Sequence, residues 1–178
     1  MTCFYFPGLI RYSVLTGGNM AMDPLAQGLM YLAAALPLAG GIIGSTTGMR
    51  HAASVGASVL SEDPTQFRNV LILAALPMTQ TFYGLIQMIY MMIMYIPGLP
   101  QDSINMVKAL ALLGIGLAGF LAEWLSAWAQ GIICASGIAE LPRTKGKNLM
   151  SSIVLAAYVE LWGILGIVFT ILGLSLLG

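Results

Sequence analysis

The sequence predicts an all-α membrane protein whose four transmembrane helices form two tandem hairpins. Three observations support this: an apolar composition, four apolar stretches of spanning length and a likeness between the two halves. Of the 178 residues, 58% are hydrophobic and 8% charged, whereas soluble domains carry about 25% charged residues. A chain so poor in charge cannot cover itself with solvated side chains, so it belongs in a lipid bilayer. Its seven basic and seven acidic residues cancel, which argues against a nucleic-acid partner.

Each spanning helix is defined by an apolar stretch and by the break that ends it. A helix needs about 20 apolar residues to cross the hydrocarbon core. The breaks combine Pro or Gly with charged residues, which end helices; they are "SEDPTQFRN" (61–69), "PGLPQDSI" (97–104) and "LPRTKGKN" (141–148). The predicted helices cover about 25–60, 70–96, 104–140 and 149–177. The first and third exceed the bilayer thickness, so they tilt or project into water.

The two hairpins resemble each other in sequence. The segment "LILAALPMTQ" (71–80) aligns without a gap with "SSIVLAAYVE" (151–160), so Gln80 corresponds to Glu160. This likeness predicts a tandem duplication with parallel repeats. The predicted units are residues 22–96 and 97–178, preceded by an N-terminal extension at 1–21 that has no clear signal-peptide pattern.

Small residues recur at every fourth position of the first and third helices. Such stripes let two helix backbones approach closely in lipid. The second and fourth helices are bulkier, which suits a ring with slim helices inside and bulky ones outside; an ordinary four-helix bundle fits equally well. The stripes are Gly40, Gly44, Gly48, Ala52 and Gly56 in the first helix, and Gly114, Ala118, Ala122 and Ser126 in the third.

The basic residues predict the orientation in the membrane. Positive charge accumulates on cytoplasmic connections, and most basic residues lie in or near the first and third connections. We therefore expect the connections 61–69 and 141–148 to be cytoplasmic and both termini to lie outside. The five residues on the cytoplasmic side are Arg50, Arg68, Arg143, Lys145 and Lys147, against Arg11 and Lys108 on the other.

Three polar side chains fall at one depth near the middle of the bilayer. Glu160 lies eleven residues after Leu149, Gln80 lies eleven after Asn69, and Gln130 lies eleven before Leu141. At 1.5 Å per residue, each is about 16 Å from its helix end. An unpaired polar group in hydrocarbon costs several kcal/mol, so we expect these three to meet.

More oxygen atoms surround Gln80 in the stretch "LPMTQTFYG" (76–84). Thr79 supplies a hydroxyl, and Tyr83 lies on the same helical face with a phenol that can donate to a carboxylate. Pro77 cannot donate to the Leu73 carbonyl and loosens the local turn, which frees backbone carbonyls. Hard oxygen ligands with one negative charge suit an alkali cation, so the set favours Na⁺. A proton on Glu160, or hydrogen bonds that merely tie the helices together, are the alternatives.

At these residues the chain resembles the proteolipid rotor subunit (K or c) of V/A-type ATPases in its duplicated four-helix form. The likeness spans about residues 22–178. It rests on the doubled hairpin, the Gly-rich first helix, "LPMTQTFYG" (76–84), "AQG" (129–131) and "AAYVELWGILG" (156–166).

The resemblance implies a role for each of these polar residues. Glu160 is the carboxylate that carries the ion. The Na⁺ ligands of the sodium-transporting branch correspond to Glu160, Gln130, Gln80, Thr79 and the backbone carbonyl of Leu76, and Tyr83 hydrogen-bonds the carboxylate.

The resemblance also implies an assembly and a location. Each chain carries one ion, since Gln80 replaces the carboxylate in the first hairpin. Copies form a homo-oligomeric ring in the lipid of a prokaryotic cell membrane, turned by the central-stalk subunits past a stator subunit with a basic residue. The chain itself performs no ATP chemistry, and it has no phosphate-binding G-x-x-x-x-G-K-[ST] motif.

Two other functions and one residue stand apart from this interpretation. A small proton-coupled secondary transporter needs a substrate cavity, which the glycine stripes disfavour. A purely structural four-helix protein does not account for Glu160. Glu123 lies seven residues before Gln130 on nearly the same face. It is expected to be hydrated or protonated near a wide part of the third helix, the alternative being a second carboxylate on the ion path.

Overall fold

The computed structural model describes residues 23–100 and 103–177; the predicted extension at 1–21 lies outside the described residues. Over the described ranges the chain is helical and contains no strand. Four helices are long and apolar enough to cross a membrane: α1 (Pro24–Glu62), α2 (Pro64–Gly98), α3 (Met106–Ala139) and α4 (Leu149–Leu177). The predicted all-α membrane fold with four spanning helices is confirmed.

The first connection is much shorter than the predicted break at 61–69. α1 ends at Glu62, and the 3₁₀ turn that begins α2 covers Pro64–Gln66, so Asp63 alone separates the two helices. Asp63 makes this possible because its carboxylate accepts hydrogen bonds from the Thr65 amide (3.1 Å) and hydroxyl (2.5 Å). These bonds cap the new helix and lower the pKa of Asp63. The prediction missed the cap and treated the whole polar stretch as a loop.

The third connection lies beside the first. A one-turn helix, Leu141–Thr144, is followed by Lys145 and Gly146 in the left-handed conformation, with φ of 51° and 79°. Gly146 sits against α2, and a Cβ there would lie 2.7 Å from Nδ2 of Asn69. The two charged connections therefore lie at the same end of the molecule, as parallel hairpins require.

The centre of the fold is the contact between α1 and α3. Gly40, Gly44 and Gly48 are buried against α3, and a Cβ at Gly44 would lie 2.7 Å from the Trp124 carbonyl oxygen. A Cβ at Gly131 would overlap the backbone of Gly48. The predicted glycine stripe of α1 thus permits close backbone approach. α2 then packs on α1, and α4 packs on α3.

The stripe predicted for α3 does not face α1. A Cβ added at Gly114 would have no neighbour within 4 Å, and Ala122 packs instead on α4, at Gly166. Gly116 and Gly131 are the glycines of α3 that lie against the backbone of α1. Small residues thus lie on more than one face of α3, and their spacing alone does not determine which of them meet α1.

α2 is irregular at two places along its length. A 3₁₀ turn, Leu76–Met78, interrupts the α-helix at Pro77, and a π-helical segment occupies Tyr90–Tyr95. Pro77 lacks the amide hydrogen that an α-helix needs there, so the predicted loosening of this turn is present. The segment that follows, Thr79–Ile89, carries the polar residues of α2.

The contact between α1 and α3 gives a stability prediction. Gly131→Ala should lower the free energy of unfolding by about 2 kcal/mol or more, since overpacking against rigid neighbours costs about 1–3 kcal/mol. The measurement is SDS-induced unfolding in mixed micelles, followed by circular dichroism. Gly28→Ala is the matched control, because a Cβ there meets nothing within 4 Å. Equal stability of the two variants would contradict the packing described.

Candidate ion-binding site

Glu160 of α4 is held by one residue from each of two neighbouring helices. The Tyr83 hydroxyl donates to its Oε1 at 2.8 Å, and Nε2 of Gln130 donates to its Oε2 at 3.3 Å. α2, α3 and α4 therefore converge on one carboxylate. The expectation that Glu160 and Gln130 meet, drawn from their equal depth, is confirmed.

The network continues from Gln130 back into α2. Nε2 of Gln80 donates to Oε1 of Gln130 at 2.9 Å. The Thr79 hydroxyl lies 3.1 Å from both Oε1 of Gln80 and the Leu76 carbonyl oxygen. All six residues predicted for the site thus belong to one hydrogen-bonded network, although this contact pattern does not test their role as ligands.

The local structure of α2 explains how its oxygen atoms come together. The 3₁₀ turn at Pro77 brings the Leu76 carbonyl and the Thr79 hydroxyl within bonding distance. Thr81 then fixes the segment to α1, because its hydroxyl donates to the Gly41 carbonyl at 3.1 Å and to the Ser45 hydroxyl at 2.8 Å. Gly41 allows this approach, since a Cβ there would lie 2.6 Å from the Gln80 carbonyl oxygen.

The site is only partly exposed, and the described part of the chain places no basic side chain in it. Gln80 and Gln130 are fully buried, and Glu160 and Tyr83 are half-buried. Among residues 23–100 and 103–177, the ion pair is Arg143 with Glu140, on the surface near a helix end. The carboxylate of Glu160 is therefore stabilised by hydrogen-bond donors, and a bound proton or cation would supply the missing positive charge.

Sequence reasoning missed one partner in this network. Nε2 of Gln130 also donates to the Ala156 carbonyl oxygen at 3.3 Å. Ala156 lies four residues before Glu160, one turn away on the same face, so helical spacing could have identified it. The Ala156 carbonyl adds one more oxygen atom to the centre of the site.

Glu123 lies outside this network, in a second cluster on the same helices. Its side chain is fully buried and accepts a hydrogen bond from Nε2 of Gln87 at 2.5 Å. Glu123 was expected to be hydrated or protonated, and this burial contradicts the hydrated form only. The wide part of α3 that was expected to admit water is filled by α4, whose Gly163 and Gly166 pack against the carboxylate.

Two helical hairpins that share one carboxylate network are typical of one class of protein, the duplicated membrane proteolipids. The sequence matches the family of the ATP synthase C subunits over residues 32–91 and again over 113–173. Each matched segment falls in one hairpin, so the predicted tandem duplication is confirmed.

Two curated relatives agree with this family. The A-type ATP synthase subunit K of Methanocaldococcus jannaschii is 32% identical over 155 residues, which cover 85% of this chain and 64% of the relative. The V-type sodium ATPase subunit K of Enterococcus hirae is 31% identical over 164 residues, which cover 92% of this chain and 97% of the relative. The chain thus spans slightly less than two thirds of the first relative and nearly all of the second. It belongs to the family of the ATP synthase C subunits, in the duplicated form of the V/A-type proteolipids.

The bond between Gln80 and Gln130 gives a second stability prediction. Gln130→Leu leaves a buried amide and a carboxylate oxygen without partners, which costs about 1–3 kcal/mol for each neutral group. Gln80→Leu should cost a similar amount, whereas the double variant should cost clearly less than the sum of the two. SDS-induced unfolding of all four proteins measures this coupling; strictly additive losses would mean that the two amides do not interact.

Proposed function

We propose that the chain is a membrane rotor subunit of a V/A-type ATPase that carries Na⁺ on Glu160. The ion binds at mid-membrane and is carried past the stator as the ring rotates, which couples ATP hydrolysis on other subunits to ion translocation. The network around Glu160 is the observation that supports this most, because it joins three helices through one carboxylate.

The donor set favours Na⁺ over H⁺ as the coupling ion. Na⁺ requires several hard oxygen ligands, whereas a proton requires the carboxylate alone. The proposed ligands are Glu160, Gln130, Gln80, Thr79 and the Leu76 carbonyl, with Tyr83 holding the carboxylate from outside the ligand set. A relative similar over 92% of this chain is named as a subunit of a sodium ATPase, which agrees with this choice.

The exchange of hydrogen bonds explains how such a site loads and unloads. Nε2 of Gln130 donates to Glu160, and Nε2 of Gln80 donates to Gln130. Binding of a cation requires both amide groups to turn their oxygen atoms toward it. The hydrogen bonds lost are offset by charge-assisted contacts to the ion, so loading and release need only small motions of two side chains.

The partners follow from the same site. Copies of the chain form the ring in lipid, the central-stalk subunits turn it, and a membrane stator subunit with a basic residue faces Glu160 and releases the ion. The connections at Asp63 and at 141–148 face the cytoplasm of a prokaryotic cell, since four of the seven basic residues lie in or beside them.

Na⁺ should protect Glu160 from chemical modification. A hydrophobic carbodiimide should label Glu160 in membranes at neutral pH, and added Na⁺ should slow the reaction because a caged ion occupies the carboxylate. Mass spectrometry of the peptide containing Glu160 gives the rate. Equimolar K⁺ is the control for ionic strength. Labelling that ignores Na⁺ but is suppressed at high pH would indicate a proton-carrying ring, and absence of labelling would contradict an ion site at Glu160.

Replacing the carboxylate should separate transport from assembly. Glu160→Gln should abolish ion-coupled ATPase turnover, because the neutral amide cannot hold the cation charge, while the ring still forms. Turnover in proteoliposomes and ring mass by native mass spectrometry measure the two properties. Glu140→Gln is the control, since Glu140 lies on the surface in an exposed ion pair. Loss of the ring in Glu160→Gln would show that Glu160 is structural.

A further inference from the structure

We propose that the buried carboxylate of Glu123 is the centre of a second binding site for a monovalent cation of the size of Na⁺. This site goes beyond the proposed function, which uses Glu160 alone, and it does not depend on it. The residues that form it are Glu123 and Ser126 of α3, Gln87 of α2 and Thr170 of α4.

Hydrogen bonds already join three of these side chains into one cluster, and the Ser126 hydroxyl donates to the backbone carbonyl of Glu123 at 3.3 Å. Nε2 of Gln87 donates to Oε1 of Glu123 at 2.5 Å, and the Thr170 hydroxyl donates to Oε1 of Gln87 at 2.7 Å. Gln87, Glu123 and Thr170 are each at most 1% exposed. The cluster therefore offers carboxylate, amide and hydroxyl oxygen atoms in a space closed to solvent.

One oxygen atom of the cluster has no partner. Oε2 of Glu123 is buried without a hydrogen bond and points to the notch beside Gly163. A Cβ at Gly163 would lie 2.9 Å from this oxygen and 3.2 Å from Oγ of Ser126. Both oxygen atoms thus lie beside Gly163, where the absence of a side chain lets α4 approach α3, and a small cation placed between the two oxygen atoms would contact both.

The cluster repeats the composition of the first network on the same three helices. Gln87 lies seven residues after Gln80, and Glu123 lies seven before Gln130, so this layer is about 10 Å nearer the termini. In both layers a glutamine amide donates to the carboxylate and a hydroxyl donates to a glutamine oxygen. The carboxylate belongs to α4 in the first layer and to α3 in the second.

The negative charge of Glu123 favours a bound cation over a carboxyl group that is held by hydrogen bonds alone. In the described ranges 23–100 and 103–177, the ion pair is on the surface, at Arg143, so Glu123 has no basic partner. A buried carboxylate needs a compensating positive charge. Oε2 has no hydrogen-bond partner within the protein, whereas a cation beside Gly163 would contact both Oε2 and the Ser126 hydroxyl.

The number of Na⁺ ions bound per chain tests this site directly. Equilibrium dialysis of the purified protein in detergent against radioactive Na⁺ should give two ions per chain. Glu123→Gln and Glu160→Gln should each retain one, and the surface control Glu140→Gln should retain two. One ion in the wild type, with no change in Glu123→Gln, would overturn the second site.

Carbodiimide labelling then assigns each ion to its carboxylate. Cleavage by trypsin after Lys108 and Arg143 leaves Glu123 in peptide 109–143, and cleavage after Lys147 leaves Glu160 in peptide 148–178. Peptide 109–143 also contains the surface residue Glu140, so fragmentation of the peptide in the mass spectrometer assigns the label to Glu123 or Glu140. Na⁺ should slow the labelling of both peptides. Protection of peptide 109–143 alone would support the second site while contradicting the role proposed for Glu160. Labelling of Glu123 that depends on pH but not on Na⁺ would show that Glu123 is a protonated carboxyl group without a bound cation. That result would overturn the proposal.

A milder variant keeps the test valid if Glu123→Gln does not fold. Ser126→Ala removes one neutral ligand and should raise the Na⁺ concentration that half-protects Glu123 about tenfold, since one such contact is equivalent to about a factor of ten in affinity. Half-protection of Glu160 should not change. An unchanged value at Glu123 would overturn the assignment of the notch.

Discussion

The structure depends on one constraint, which is that the hydrocarbon of a bilayer offers no water to a polar group. A buried amide, hydroxyl or carboxylate that finds no partner within the protein is therefore costly. Gln80, Gln130 and Glu160 satisfy this constraint by meeting one another. Each would be costly on an isolated helix, so the network both requires the packing of the helices and fixes their relative positions.

The close contact between α1 and α3 makes this meeting possible. Gly48 and Gly131 bring the two backbones together, and Gln130 is the neighbour of Gly131 in the chain. Gly41 likewise lets α2 approach α1 beside Gln80. The glycines thus act through position: they remove side-chain bulk where two backbones must approach, so that amides on different helices come within hydrogen-bonding distance.

Much of this could be predicted because the position of a residue along a spanning helix determines its depth in the membrane. The apolar stretches bound the four helices, and counting from the helix ends paired Glu160 with Gln130 and Gln80. Counting residues does not determine how a helix is rotated about its own axis, and so does not tell which of its faces meets which neighbour. Gly114 and Gly116, for example, are both small, but only Gly116 meets α1. The surroundings of Glu123 were missed for the same reason: Gln87 and Thr170 become its neighbours only when the facing sides of α2, α3 and α4 are known.

The two carboxylate layers also constrain each other. Two unit charges about 10 Å apart repel by about 1.7 kcal/mol at an effective dielectric constant of 20, and no aqueous ions screen charges within the hydrocarbon. Loss of a cation from Glu160 would therefore strengthen the binding of positive charge at Glu123, and occupancy of both layers would remove the repulsion. Because Glu123 lies on α3 and Glu160 on α4, the repulsion acts between the two helices of one hairpin. A cation held at Glu123 would thus reduce the repulsion between α3 and α4.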